Sequence, residues 1–75
     1  MIPFRHLIYT LAVAEHGSVQ AASDHISISQ PALSAAIQKV EENYGLKIFL
    51  RDRPNKLVLT PDGKRFIARA KVLME

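Results

Sequence analysis

A mainly helical fold, with three helices, a two-stranded β wing and the start of a fourth helix, is what three features of this 75-residue chain predict. Two adjacent helical segments each open on a serine, Ser18 and Ser29, and the first carries the small pair Ala21-Ala22. Two short β-prone runs then flank a basic, turn-rich stretch, Arg51-Asp52-Arg53-Pro54-Asn55-Lys56. Finally, Thr60-Pro61-Asp62 has the order of a helix start: an N-cap, a proline at the first helical position and an acid in the first turn.

Each element has its own grounds. Phe4, Leu7, Ile8, Leu11, Ala12 and Ala14 recur at helical spacing and predict a first helix over about residues 4–15, ended by Gly17. Ser18 caps the second, in which adjacent alanines let two helix axes approach closely, and Ile26-Ser27-Ile28 is its turn. Ser29 caps the third, with Pro31 in the first turn, where a missing N–H is harmless. Leu33, Ile37, Val40 and Tyr44 give that helix an inward stripe, while Pro31, Ala35, Gln38 and Glu42 point away from it. Strands are expected at 46–50 and 57–59. The fourth helix carries the apolar stripe Phe66, Ile67, Ala70, Leu73 and Met74, and its pattern runs to Glu75 without a stop signal. This is the order of a winged helix-turn-helix: residues 1–60, with the helix-turn-helix at about 19–38 and the wing at about 47–59, followed by a further helix at 61–75. A short helix bracing a longer one with a slim, polar N-terminus suits the major groove of DNA, which admits one helix.

Composition narrows the class. The chain has no cysteine, which removes disulfides and thiolate metal sites, and its apolar runs are too short to span a bilayer. A soluble cytoplasmic protein that does not enter a membrane is expected. The net charge of +3 is unevenly spread. Residues 1–38 hold one basic side chain against two acidic ones, whereas 39–75 hold nine against five, a tilt that suits a polyanionic partner.

The segments Ala12-Val13-Ala14-Glu15-His16-Gly17-Ser18, Ala21-Ala22, Ser29-Gln30-Pro31-Ala32-Leu33-Ser34, Ile37, Glu41-Glu42, Gly45-Leu46, Phe49-Leu50-Arg51 and Leu59-Thr60-Pro61-Asp62-Gly63 cover nearly the whole chain. In them the sequence resembles the DNA-binding domain of the LysR-type transcriptional regulators of bacteria. The resemblance implies that the fourth helix begins a linker helix used for homodimerisation, through Phe66, Ile67, Ala70, Leu73 and Met74. It implies a target of double-stranded DNA with an interrupted inverted repeat. It also implies that a C-terminal domain binding a small-molecule inducer is absent from this segment, which itself takes no cofactor.

Site residues follow from the same resemblance. Base reading falls to Gln30, Pro31, Ala32, Ser34 and Ala35: the glutamine as a hydrogen-bonding reader, Pro31 and Ala32 as carbon surface for thymine methyls. Phosphate or minor-groove contacts fall to Ser18, Ser29, Gln38, Lys39, Arg51, Arg53, Lys56 and Thr60. The chain departs from many members at Ala35 and Ala36, where they carry arginine or another large polar residue, and at Gln38, where they carry a basic one, which leaves Lys39 as the only cation of the third helix. Sequence reading is therefore expected to lean on Gln30, methyl contacts and groove shape.

Plainer readings compete with these. Ser29 and Thr60 are helix caps whether or not they touch DNA. His6, His16 and His25 show no i, i+4 pair, so the expectation is no metal site, and no serine has a histidine and carboxylate at a recognisable spacing, so no enzyme is expected. Glu41 and Glu42 read as a solvated flank. A winged helix that docks a protein instead of DNA is the alternative, disfavoured because the third helix offers no aromatic anchor at its polar end.

Overall fold

The computed structural model describes residues 2–74. Its elements are α1 (Phe4–His16), α2 (Val19–Ile26), α3 (Gln30–Tyr44), β1 (Phe49–Arg53), β2 (Lys56–Leu59) and α4 (Pro61–Leu73). The mainly helical winged helix-turn-helix is therefore present. The helix pattern expected to reach Glu75 has its last residue outside the described ones.

The boundaries have local causes. Gly17 (φ 78°) and Gly45 (φ 65°) take the left-handed conformation that ends α1 and α3. Ser18, Ser29 and Thr60 cap α2, α3 and α4, each accepting the N–H of the residue three positions on, at 3.0, 3.2 and 2.8 Å. The tight corner between α2 and α3 rests on Ser27 at φ 59° and on the Ser23 hydroxyl, which donates to the Ile28 carbonyl at 2.6 Å.

The core gathers one face of every helix against the base of the wing. Val13, Ala22, Leu33, Val40 and Ile48 are fully buried, with Ile37, Phe49, Ile67 and Ala70 nearly so. Thr10 is also buried, and its hydroxyl bonds the His6 carbonyl at 2.8 Å, which satisfies it inside an apolar surround. The stripe expected of α1 is too wide: Phe4 and Ile8 are 61% and 41% exposed, because the helix is covered only along the arc through Thr10 and Val13. Tyr44 likewise lies outside the core, 50% exposed, with its ring edge-on to Phe66 at 5.0 Å.

The wing differs from its expected extent. The strands pair antiparallel as Phe49↔Leu59, Leu50↔Val58, Arg51↔Leu57 and Arg53↔Lys56, so β1 starts later than residue 46 and continues through Arg53. The connection is then just Pro54-Asn55. A bulge between Arg51 and Arg53 accommodates Asp52. The long basic loop foreseen from the sequence is thus mostly strand, because a two-residue turn is enough to reverse the chain.

Candidate nucleic-acid interface

Three chain segments converge on one polar groove of about 150 Å³. The start of α2 supplies Ser18 and Gln20, the start of α3 supplies Gln30 and Ser34, and the wing supplies Arg51, Asn55 and Lys56. A main-chain bond brings the wing there: Leu57 N–H donates to the Gly17 carbonyl at 2.8 Å. A second groove, between α3 and β1, is lined by Ser34, Gln38, Glu41, Lys47 and Arg51 among others. Arg51 therefore stands between the two.

The outer face of α3 is built as expected. Gln30, Pro31, Ala32, Ser34, Ala35, Gln38 and Lys39 are all exposed. Ala36 is not part of this face; at 2% exposure it lies in the core. Neither α2 nor α3 has an acid in its first turn, which leaves the positive end of each helix open to an anion. In contrast, α4 carries Asp62 in its first turn, ion-paired with Arg65.

The capping hydroxyls divide into two kinds. Ser18 and Ser29 accept helix N–H bonds and keep their own proton available. Thr60 accepts from Gly63 N–H and also donates to the Lys47 carbonyl, so its one proton is already engaged. Its expected phosphate contact therefore has no side-chain donor left, and Thr60 is a structural cap joining α4 to the base of the wing.

On the wing, Arg51 Nη1 donates to the Pro54 carbonyl at 2.6 Å, which draws the guanidinium over the turn. Arg53 Nε lies 3.8 Å from Asp52 Oδ2, with both side chains well exposed, so the pair restrains Arg53 weakly. Lys56 is exposed opposite Arg53 across the turn. All three cations face solvent.

The apolar stripe of α4 is split. Ile67 and Ala70 pack into the chain's own core, each 5% exposed, and are not free for another chain. Leu73 is 77% exposed and Met74 part-buried, while Val72, absent from the expected stripe, is 65% exposed. Phe66, Ala70 and Leu73 join Leu7, Tyr44 and Leu46 around an apolar concavity of about 370 Å³.

Several residues escaped the sequence reading. Gln20 and Asn55 line the polar groove; the position of Gln20 in the first turn after a cap was their one visible signal. Glu41 is no solvated flank: its carboxylate accepts the Ile48 N–H at 2.8 Å. The rings of His16 and His25 approach to 4.6 Å between centroids, a pairing across two helices that chain spacing conceals. Among the described residues no group of three potential metal ligands forms.

Comparison with known proteins agrees with this geometry. The model of the bacterial regulatory helix-turn-helix proteins of the lysR family matches residues 4–64. The HTH-type transcriptional regulator MetR of Haemophilus influenzae is 41% identical over 73 residues, which are 97% of this chain and 23% of that protein. TfdS of Cupriavidus pinatubonensis is 38% identical over 72 residues, 96% of this chain and 24% of that regulator. The chain thus spans about a quarter of the length of these curated relatives. Among solved structures, the BenM DBD in complex with catB site 1 DNA superposes with a TM-score of 0.89 at 37% identity, covering 97% of this chain and 80% of that one. The CbnR DBD–DNA complex gives 0.91 at 32% identity, covering 97% and 83%.

Proposed function

Because this chain belongs to the lysR family of bacterial regulatory helix-turn-helix proteins, as its DNA-binding domain, we propose that it binds double-stranded DNA sequence-specifically within a transcriptional regulator. The observation that carries this reading is the polar groove in which the uncharged start of α3 meets the basic wing. A slim helix end reads base edges, and the cations beside it hold phosphates. The division of labour is positional. Ser18, Ser29 and the open N-termini of α2 and α3 fix the register on phosphate oxygens, helped by Gln38 and Lys39. Gln30, Pro31, Ala32, Ser34 and Ala35 face the bases, and Arg51, Arg53 and Lys56 follow the backbone into the adjacent minor groove.

The working form is a homodimer on an interrupted inverted repeat, with two copies of α3 in major grooves one helical turn apart or a multiple of it. Phe66, Leu73 and Met74 are the residues of the expected stripe left to meet a partner helix, with Val72 beside them. The domain needs no cofactor; the greater length of the relatives leaves room for a C-terminal inducer-binding domain, and the regulator acts in the cytoplasm. Related transcriptional regulators support a binding role over an enzymatic one.

A selection of genomic fragments with the purified chain, read at two salt concentrations, tests this. Enrichment of an inverted repeat with affinity falling steeply in salt is the expected result. Weak, unselective recovery that ignores salt overturns it in favour of protein docking.

A further inference from the structure

Besides the bonds from Thr60 at its base, the wing is tethered on both strands. The second strand hangs from Gly17 through Leu57 N–H. The first is held by Glu41 of α3, whose Oε2 accepts Ile48 N–H at 2.8 Å and Phe49 N–H at 3.4 Å. Lys47 Nζ lies 3.9 Å from the other carboxylate oxygen, and the Glu41 side chain is only 17% exposed, so water competes little for these bonds. The backbone of the same residue adds to the hold: its carbonyl accepts Gly45 N–H at 2.9 Å and Leu46 N–H at 3.2 Å. One residue of the recognition helix therefore ties the connection to α3, while Thr60 ties the carbonyls of Lys47 and Ile48 to α4.

Resting on the DNA-binding reading above, we propose that Glu41 is a positioning residue for specificity, which fixes the wing relative to α3 and makes the pair a rigid calliper. A calliper of fixed opening tests how far the minor groove under the wing lies from the major groove under α3. That distance is a property of DNA shape, so the site is read in flanking base pairs that α3 does not touch. Without the carboxylate, Ile48, which is fully buried, has an N–H with no acceptor, and the entry to β1 is held from the α4 side by Thr60 but no longer from α3, so the wing can shift relative to the recognition helix. The calliper then opens to suit any flank.

The test uses one selected site in two versions, with an A·T-rich or a G·C-rich flank under the wing, and a third version with a base changed under α3. Glu41→Asp keeps the charge but withdraws the acceptor by one methylene. It is expected to lose about threefold or more of the flank preference while base discrimination under α3 stays intact. Glu41→Gln keeps an acceptor oxygen at full reach and retains both preferences. Full flank preference in a folded Glu41→Asp overturns the proposal, as does equal loss of both preferences. Loss of flank preference in Glu41→Gln overturns it independently, even if Glu41→Asp does not fold. A wild-type chain that reads bases but no flank also overturns it, whereas a wild-type chain with no sequence preference overturns the DNA-binding reading itself.

Discussion

Gly63 rests its bare Cα against the main chain of Ile48: a Cβ there would stand 2.1 Å from the Ile48 carbonyl oxygen and 2.9 Å from its carbon. The obstacle is backbone held in place by Thr60 N–H, which donates to the same carbonyl at 3.0 Å. Gly63→Ala must therefore push α4 off the base of the wing. It should cost about 3 kcal/mol, the upper range for overpacking, and this shows as a lower urea midpoint. An unchanged midpoint would mean that the contact is not made.

Ser29 separates capping from DNA contact. Ser29→Ala should cost about 1 kcal/mol of stability, whereas Ser29→Gly should cost only a few tenths. If the hydroxyl also donates to a phosphate, both variants lose DNA affinity alike. Affinity that tracks stability across the two would confine Ser29 to capping.

Gln30→Ala should weaken the selected site by about 1–3 kcal/mol and blur one base step, leaving random DNA almost unaffected. Competition binding against single-base variants measures this. A uniform loss on all sequences would remove Gln30 from the readers.

Arg51→Ala should weaken every DNA sequence similarly and lower the slope of log affinity against log salt by about 0.9 per chain. Arg51→Lys keeps the charge but not the planar fork that reaches the Pro54 carbonyl, so it should restore the slope and only part of the affinity. A wild-type slope for Arg51→Ala would place Arg51 off the phosphates.

The fold was largely legible because its signals are local. A serine, a glycine or a proline at a helix end acts within four residues, and the caps at Ser18, Ser29 and Thr60 form as their sequence context requires. The outer face of α3 was legible for the same reason, since helical rotation alone places Gln30, Ser34 and Gln38. What stayed hidden depends on distant chain. Nothing near Glu41 shows that its partners lie at Ile48 and Phe49, and nothing near Thr60 shows that its proton goes to Lys47. Periodicity marked Ile67 and Leu73 as one stripe; only packing shows that the first is buried and the second bare. The extent of β1 was missed because charged residues at 51–53 read as a loop, although a half-solvated edge strand tolerates them.

The bond from Leu57 N–H to the Gly17 carbonyl uses no side chain from either residue. Any amino acid except proline can supply that donor, so side chains at the neighbouring tip can change without removing this bond. New flank preferences can then arise by single substitutions at the tip while the older frame goes on holding it in place.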